Sequence, residues 1–302
     1  MSEPGSALAS GGEIPTLDEH GRKVQAMFSD IAPGYDRANR IMSAGTDVRW
    51  RRRAVDGLLR PGPGLDVATG AGATILDLCA GTLDSTLEIH RRYPAASLIG
   101  GDFSSGMLAT GVRRIEALGQ PAARERIRAM QMDAHALPLA DASLDAIFCA
   151  FGIRNLSDLE LAGAEQLRCL RPGGQLVILE FFRPTAWATR AFHAVYNHTV
   201  LPLVGWACTG NLDAYRYLPR SIGQMRSSAD YADLLARLGF VDVEVTALTM
   251  GVASIVRARK PVPQASQRVG PKGPSEARVS ERAQAQPSTI RVRLDGVKEG
   301  PS

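Results

Sequence analysis

The chain has 302 residues, 45% of them hydrophobic and 22% charged, with a formal net charge of +4. These values suit one large globular domain. Pro261 to Ser302 holds seven Lys/Arg against four Asp/Glu, so most of the positive charge sits in a tail and the remainder lacks the basic footprint of a nucleic-acid binder.

Met1 to His20 is rich in Gly, Ser and Glu and lacks a basic stretch followed by an apolar one, so it reads as a flexible segment without a secretory leader. Residues 21–260 alternate helix and strand patterns, which predicts an α/β domain with a mostly parallel sheet. Lys23 to Ser29 and Arg37 to Leu59 are expected to be helical, the second stopping before Pro61. Pro61 to Ala73 reads as a Gly/Pro-rich loop. Strands are expected at Ile75 to Cys79, Leu98 to Asp102, Ile127 to Met132, Leu144 to Ala150 and Gln175 to Phe181. Helices are expected between them at Thr86 to Tyr93, Gly106 to Leu118 and Asp158 to Leu170, the last stopped by Arg171-Pro172-Gly173-Gly174. Trp187 to Cys208 is apolar and aromatic, interrupted by Pro202. A helix at Ala229 to Leu238 precedes strands at Val241 to Ala247 and Ala253 to Ala258, a pair short enough in its turn to be an antiparallel hairpin at the sheet edge. Pro, Gly, Ser and Gln fill 19 of the 42 positions of 261–302, with no aromatic residue, so this tail is expected to be disordered. No run of 18 apolar residues occurs anywhere, the length that a membrane-spanning helix needs. Cys79, Cys149, Cys169 and Cys208 form no C-x-x-C pair and read as reduced thiols, with no metal site.

Chemistry concentrates where Thr74-Ile-Leu-Asp77-Leu-Cys-Ala-Gly81-Thr82-Leu-Asp84 meets the next helix. An apolar run carries a carboxylate, a small-residue turn follows, and 25 residues after Asp77 a second apolar run ends in Asp102. This is the layout of a nucleotide-type cofactor site at the carboxyl ends of adjacent parallel strands, where the turn lets backbone approach the ligand and the second acid takes ribose hydroxyls. The turn has one glycine rather than G-x-G-x-x-G, so it suits a phosphate-free cofactor such as S-adenosylmethionine better than a dinucleotide. Gly64-Leu-Asp66-Val-Ala-Thr-Gly70-Ala-Gly72 looks similar, but no helix fits between Gly72 and the strand at Thr74, as a parallel crossover demands.

Tyr35-Asp36-x-x-Asn39-Arg-x-Met42-Ser43-x-Gly45-x-x-x-x-Trp50, Phe151-Gly152-Ile-Arg154-Asn155-Leu, Arg168-x-Leu170-Arg-Pro172-Gly173-Gly174-x-Leu-x-x-Leu-Glu180 and Tyr215-Arg-Tyr217-Leu-Pro-x-Ser221-Ile222 together resemble the ubiquinone/menaquinone-biosynthesis C-methyltransferases. The resemblance covers roughly Lys23 to Arg259. It implies a class I methyltransferase fold: a Rossmann-like, seven-stranded, mostly parallel sheet with an antiparallel C-terminal hairpin and helices on both faces. It implies S-adenosylmethionine as cofactor, contacted by Thr82 and Asp102 beside Asp77 and Gly81, with Asp133 and Ala134 flanking the adenine and Ala150 contributing only backbone. Three positions depart from the family pattern: Leu83 stands where a glycine is common, Asp47 where histidine is frequent and Phe182 where serine is. Leu83 is expected to narrow the cofactor pocket or to weaken cofactor binding.

The implied reaction is methyl transfer to a ring carbon of a prenylated hydroquinone, most readily demethylmenaquinol. A ring carbon becomes nucleophilic when a phenolic oxygen loses its proton, so the enzyme must align the reactants, favour the phenolate and exclude water. Arg154 and Asn155 are the expected catalytic pair, with Arg154 stabilising the phenolate or orienting a water, since guanidinium is no base. A brace for a loop is the competing role for Arg154. Tyr35 and Tyr215 are candidates for the substrate pocket. The expected partner is the polyprenylated quinol, with a cytoplasmic location; 187–206 reads as an apolar entrance or a surface toward the membrane, or as a cover of the domain core or a dimer contact. A homodimer or a quinone-biosynthesis complex stays open, as do a methyltransferase for a soluble substrate or a benzoquinol, and a non-catalytic binding subunit.

Overall fold

The computed structural model describes residues 8–9, 40–41, 43–187, 189–191, 199, 212–263 and 291–294. One sheet runs through it, with strands in the order β4-β3-β2-β5-β6-β8-β7. These are β2 (Thr74–Leu78), β3 (Ser97–Asp102), β4 (Ile127–Gln131), β5 (Leu144–Ala150), β6 (Leu170–Glu180), β7 (Val241–Leu248) and β8 (Ala253–Arg259). The first five in that order are mutually parallel, and β8 lies antiparallel between β6 and β7. This is the seven-stranded sheet with its antiparallel pair that the sequence predicts. Two short strands extend it: β1 (Leu8–Ala9) pairs with β4, and β9 (Arg291–Leu294) with β7. Both come from segments that composition alone assigned to a flexible start and a disordered tail.

Seven helices with described bounds pack around the sheet: α1 (Thr46–Val55), α2 (Asp84–Arg92), α3 (Ser105–Ala117), α4 (Pro121–Arg126), α5 (Leu159–Cys169), α6 (Leu212–Gln224) and α7 (Ser228–Arg237). Three of their starts are set by short polar side chains that satisfy amides left over at a helix N-terminus. Ser104 accepts from Met107 at α3, Asp158 from Glu160 and Leu161 at α5, and Ser227 forms a capping box with Asp230 at α7. The helix expected over 37–59 is broken: Ala44 and Gly45 take positive φ, and α1 begins only at Thr46. α4 was not foreseen, because Pro121 reads as a helix stop although it is also well suited to a first turn.

Side-chain alternation along the strands fixes what each face meets. Leu76, Ile147, Leu176 and Ile178 enter one apolar core with Tyr231, Leu234 and Phe240, whereas Ile75, Phe148, Val177 and Leu179 enter the other with Val55, Leu83 and Ile89. Asp77 shares its face with Ile75 and therefore meets α2. Glu180 shares its face with Ile178 and meets the turn after β5. The chain leaves β2 toward β3 and β4 and later returns on the other side as β5 and β6, so a crevice opens at the carboxyl ends beside β2, where open α/β sheets place ligands.

Candidate active site

The turn after β2 is wound tightly. Cys79, Gly81 and Leu83 all take positive φ (57°, 53° and 62°), and Leu83 donates its amide to the Ala80 carbonyl at 2.9 Å. Gly81 adopts this conformation without steric cost; Cys79 and Leu83 are held in it against their preference. Leu83 does not narrow the ligand side of the turn as expected. Its side chain is fully buried, and a Cβ placed on Gly100 of β3 or Gly111 of α3 would come within 2.4 or 2.6 Å of it. Glycines on a strand and a helix make the room that this leucine fills.

Asp102 accepts the Gly81 amide on Oδ2 and the Ser104 amide on Oδ1, each at 2.8 Å. Asp77 accepts the Thr86 hydroxyl on Oδ2 at 2.6 Å, while its Oδ1 is buried without a hydrogen-bond partner among the described residues. Burial pushes Asp77 up to about 7, opposed by the Thr86 bond, and pushes Asp102 up to about 6 against its backbone bonds. Two desolvated carboxylates with lone pairs to spare thus face a turn of backbone amides. Thr82 is buried in the same turn. Asp84 opens α2, where the helix N-terminus favours an acid, and pairs with Arg114 and Arg51. Burial alone would raise its pKa, but those guanidinium groups outweigh it and hold the carboxyl below the ordinary range.

Asp133 and Ala134 lie directly past β4. Asp133 Oδ1 accepts from the His135 amide at 2.9 Å and lies 2.7 Å from His135 Nδ1, and Ala134 is buried. Ala150 ends β5, after which Phe151 takes positive φ and donates its amide to Leu179. Asp77, Gly81, Thr82, Asp102, Asp133, Ala134 and Ala150 therefore all stand at the carboxyl end of the sheet, as their sequence positions predict.

Arg154 and Asn155 lie in a 3-10 turn, Ile153–Asn155, beyond β5. The Arg154 side chain is 5% exposed and pairs at 2.8 Å with Glu180, which is fully buried; the same guanidinium donates to the Phe151 carbonyl, and the Arg154 amide donates to Glu180 Oε2. The guanidinium thus braces this turn, the competing role considered above, while Arg154 also lines the adjacent cavity. Burial raises the pKa of Glu180 in spite of Arg154. Asn155 Oδ1 accepts the Tyr217 hydroxyl from α6 at 3.1 Å. Burial also pushes the Tyr217 phenol up. Tyr35 lies outside the described residues, as do most of 187–208 and the Tyr215 side chain, and a link from α6 to this turn comes from Tyr217. A cavity of about 590 Å³ beside the turn is lined by Ile153, Arg154, Leu156, Leu159 and Met225 among others.

Glu180 and Tyr217 were missed as site residues although both fall inside the quoted motifs. The available signal was Glu180 itself, a carboxylate closing the apolar run Leu176 to Leu179. α1 supplies Trp50, packed against Phe151 and Phe181, and Arg51, which bonds Asp47 and Ser85 and lies over the Phe151 ring. Asp47, in place of the frequent histidine, is buried and also accepts the Ser43 hydroxyl. Phe182 is buried against Tyr231.

Comparison with known proteins agrees with this arrangement. The ubiE/COQ5 methyltransferase family matches residues 16–260. A demethylmenaquinone methyltransferase of Thermus thermophilus is 43% identical over 229 residues, covering 76% of this chain and 97% of that protein. A ubiquinone/menaquinone biosynthesis C-methyltransferase UbiE of Geobacter sulfurreducens is 38% identical, covering 81% and 91%. Among solved structures, a SAM-dependent methyltransferase of Thermotoga maritima superposes with a TM-score of 0.52 at 16% identity, over 78% of this chain and 99% of that one, a likeness of fold.

Proposed function

This chain belongs to the ubiE/COQ5 methyltransferase family, and from that premise we propose that it transfers a methyl group from S-adenosylmethionine to a ring carbon of demethylmenaquinol. The observation that carries the reading is the pair of buried carboxylates, Asp77 and Asp102, on the amide-lined turn at the carboxyl ends of β2 and β3. The choice of a naphthoquinol rests on the relative of that activity matched over nearly its whole length. The name of the Geobacter relative spans both quinones, so 2-polyprenyl-6-methoxybenzoquinol is the second acceptor to test.

The residues present fit the cofactor. Asp77 Oδ1, buried and unpartnered among the described residues, calls for a donor, which the ammonium of an amino-acid moiety provides. Asp102 spends one bond per oxygen on backbone and keeps lone pairs for a ribose diol. Gly81 and Thr82 line the approach, Asp133 and Ala134 flank the base, and Ala150 offers backbone only. When bound, S-adenosylmethionine supplies an electrophilic methyl on a sulfonium.

The chain's own residues do the rest. The Arg154–Glu180 pair locks the turn after β5, so Asn155 and Tyr217 present fixed polar groups beside the cavity. Arg154 keeps a positive charge near the acceptor and lowers the cost of a phenolate there. The Trp50, Phe151 and Phe181 rings pack on one another, with the Arg154 guanidinium over Phe181. Tyr35 and Tyr215 are assigned to the substrate side. The polyprenyl tail places the acceptor at a membrane, which makes the protein a peripheral visitor from the cytoplasm; no helix among the described residues is long and apolar enough to cross one.

The test is transfer of label from S-adenosylmethionine to chemically reduced demethylmenaquinone in detergent, with the benzoquinol alongside. Label on the ring carbon is expected; cofactor binding without label in either acceptor overturns the reading. Arg154→Ala strands the buried Glu180 charge and is expected to destabilise the fold by about 3–5 kcal/mol. Arg154→Lys, which keeps the charge but loses the fork, is expected to fold and lose about 10- to 100-fold in kcat.

A further inference from the structure

The end of the sheet opposite the active site carries a second polar cavity, of about 320 Å³, lined by Arg60, Gln175, Asp242, Glu244, Arg257 and Arg259. Gln175 and Arg259 are direct cross-strand partners on β6 and β8, and Arg257 lies two residues before Arg259. Strand alternation therefore sends all three side chains to one face. That is the face of α1, whose last carbonyls (Arg53, Ala54) and the Asp56 carbonyl accept from Arg257 Nη2 at 2.9–3.0 Å.

Three donors here are buried and without a hydrogen-bond partner among the described residues: Gln175 Nε2, Arg257 Nη1 and Arg259 Nε. Gln175 is only 3% exposed, and its Oε1 is already taken by Arg60 Nε at 2.9 Å, so its amide group has no other way to turn. Such donors are almost always satisfied in folded proteins. The acids do not meet the need: Asp242 pairs with the other end of Arg259, and Glu244 on the neighbouring strand has no recorded bond to any of the three. Three arginines against two carboxylates leave the cavity positive.

We propose that this cavity binds a phosphate group, as inorganic phosphate or a phosphoester, between Gln175, Arg257, Arg259 and Arg60. A tetrahedral oxyanion presents acceptors to donors arriving from several directions, which a planar carboxylate with two oxygens matches less well. Burial, and next the Arg60 charge, disfavour the charged form of Arg257, a penalty that a bound anion relieves. Nothing in the transfer chemistry uses these residues, which lie at the end of the β6–β8 pair away from Glu180.

Calorimetric and thermal titration of the full chain with inorganic phosphate, against chloride at equal ionic strength, tests the site. A second arm measures sedimentation with phosphatidylglycerol vesicles against phosphatidylcholine ones. Phosphate is expected to raise Tm by about 2–4 °C at saturation, and Arg60→Gln, on an exposed side chain, to weaken binding about tenfold without changing methyl transfer. Gln175→Leu is expected to abolish it. Vesicle binding lost in Arg60→Gln, without a response to free phosphate, identifies a lipid diester as the source of the same group. Equal responses to phosphate and chloride with no Arg60-dependent vesicle binding overturn the proposal, as does phosphate affinity unchanged in Arg60→Gln.

Discussion

Two acid-led, glycine-containing turns in this chain are nearly interchangeable on paper and opposite in physics. In the loop 64–72, Asp66 is exposed and spends its carboxylate on its own neighbourhood, accepting the Ala68 amide at 2.9 Å and the Thr69 hydroxyl at 2.6 Å. The Thr69 bond, ahead of the Ala68 one, holds its carboxyl below the ordinary value. Its backbone tethers run to the end of α2 and the start of β3, through Thr69 to Ala95 and Ala68 to Arg92, so it sits at the amino ends of the strands. Asp77 and Asp102 sit at the carboxyl ends, buried, and are pushed up to about 7 and 6. An acid whose bonds are complete stabilises a loop; an acid left desolvated with lone pairs to spare is waiting for a ligand.

The strongest way to break this contrast is substitution at both turns. Asp102→Ala removes two charge-assisted acceptors for the ribose and is expected to weaken cofactor binding by about 10²-fold or more, read by fluorescence titration. Asp66→Ala is expected to leave the same titration unchanged. Comparable losses in both would show that the looser loop also serves the ligand.

Proton linkage separates the turns next. Asp77 and Asp102 have raised folded values, so their contribution to stability is full below the ordinary 3.8 and is lost as pH rises through about 6 and then about 7. The ligand donors prefer the ionised acids, so cofactor affinity is expected to move the other way, falling about tenfold between pH 8 and about pH 5.5. Asp66, with a lowered value, contributes stability above 3.8 that is lost only as pH falls through its depressed folded value. Thermal melts with and without cofactor across pH check both signs.

The smallest expected effect concerns Leu83. Leu83→Gly relieves a left-handed leucine but empties the space between Gly100 and Gly111, for a net loss of about 1–3 kcal/mol in stability with cofactor affinity unchanged. Tighter cofactor binding in that variant would return Leu83 to the pocket wall.

Much of this was legible in the sequence because it is local or periodic. The 25-residue spacing from Asp77 to Asp102, the apolar stretch Ala146 to Ala150 of β5 and the Pro-Gly-Gly stop after α5 encode strand, crossover and helix end, although β6 already starts at Leu170, and the look-alike loop betrayed itself by having no room for a helix. Backbone geometry follows from such patterns since each acts within one turn or one strand. The break at Ala44–Gly45 and the helix at Pro121 escaped, as both hang on single residues with two permitted uses.

What tertiary structure alone decided is partnership across distance. Sequence named Arg154 but could not join it to Glu180, 26 residues away, nor Asn155 to Tyr217, because hydrogen-bond partners are set by which faces of β5, β6 and α6 meet. It flagged Leu83 as foreign to its turn without seeing that Gly100 and Gly111 had made room for it. It gave no sign that Gln175, Arg257 and Arg259 converge, since cross-strand register brings together residues whose spacing in the chain carries no pattern. Sequence fixes which residues can make a turn or a strand; burial, which decides what an acid or an arginine does there, exists only once the sheet has closed around them.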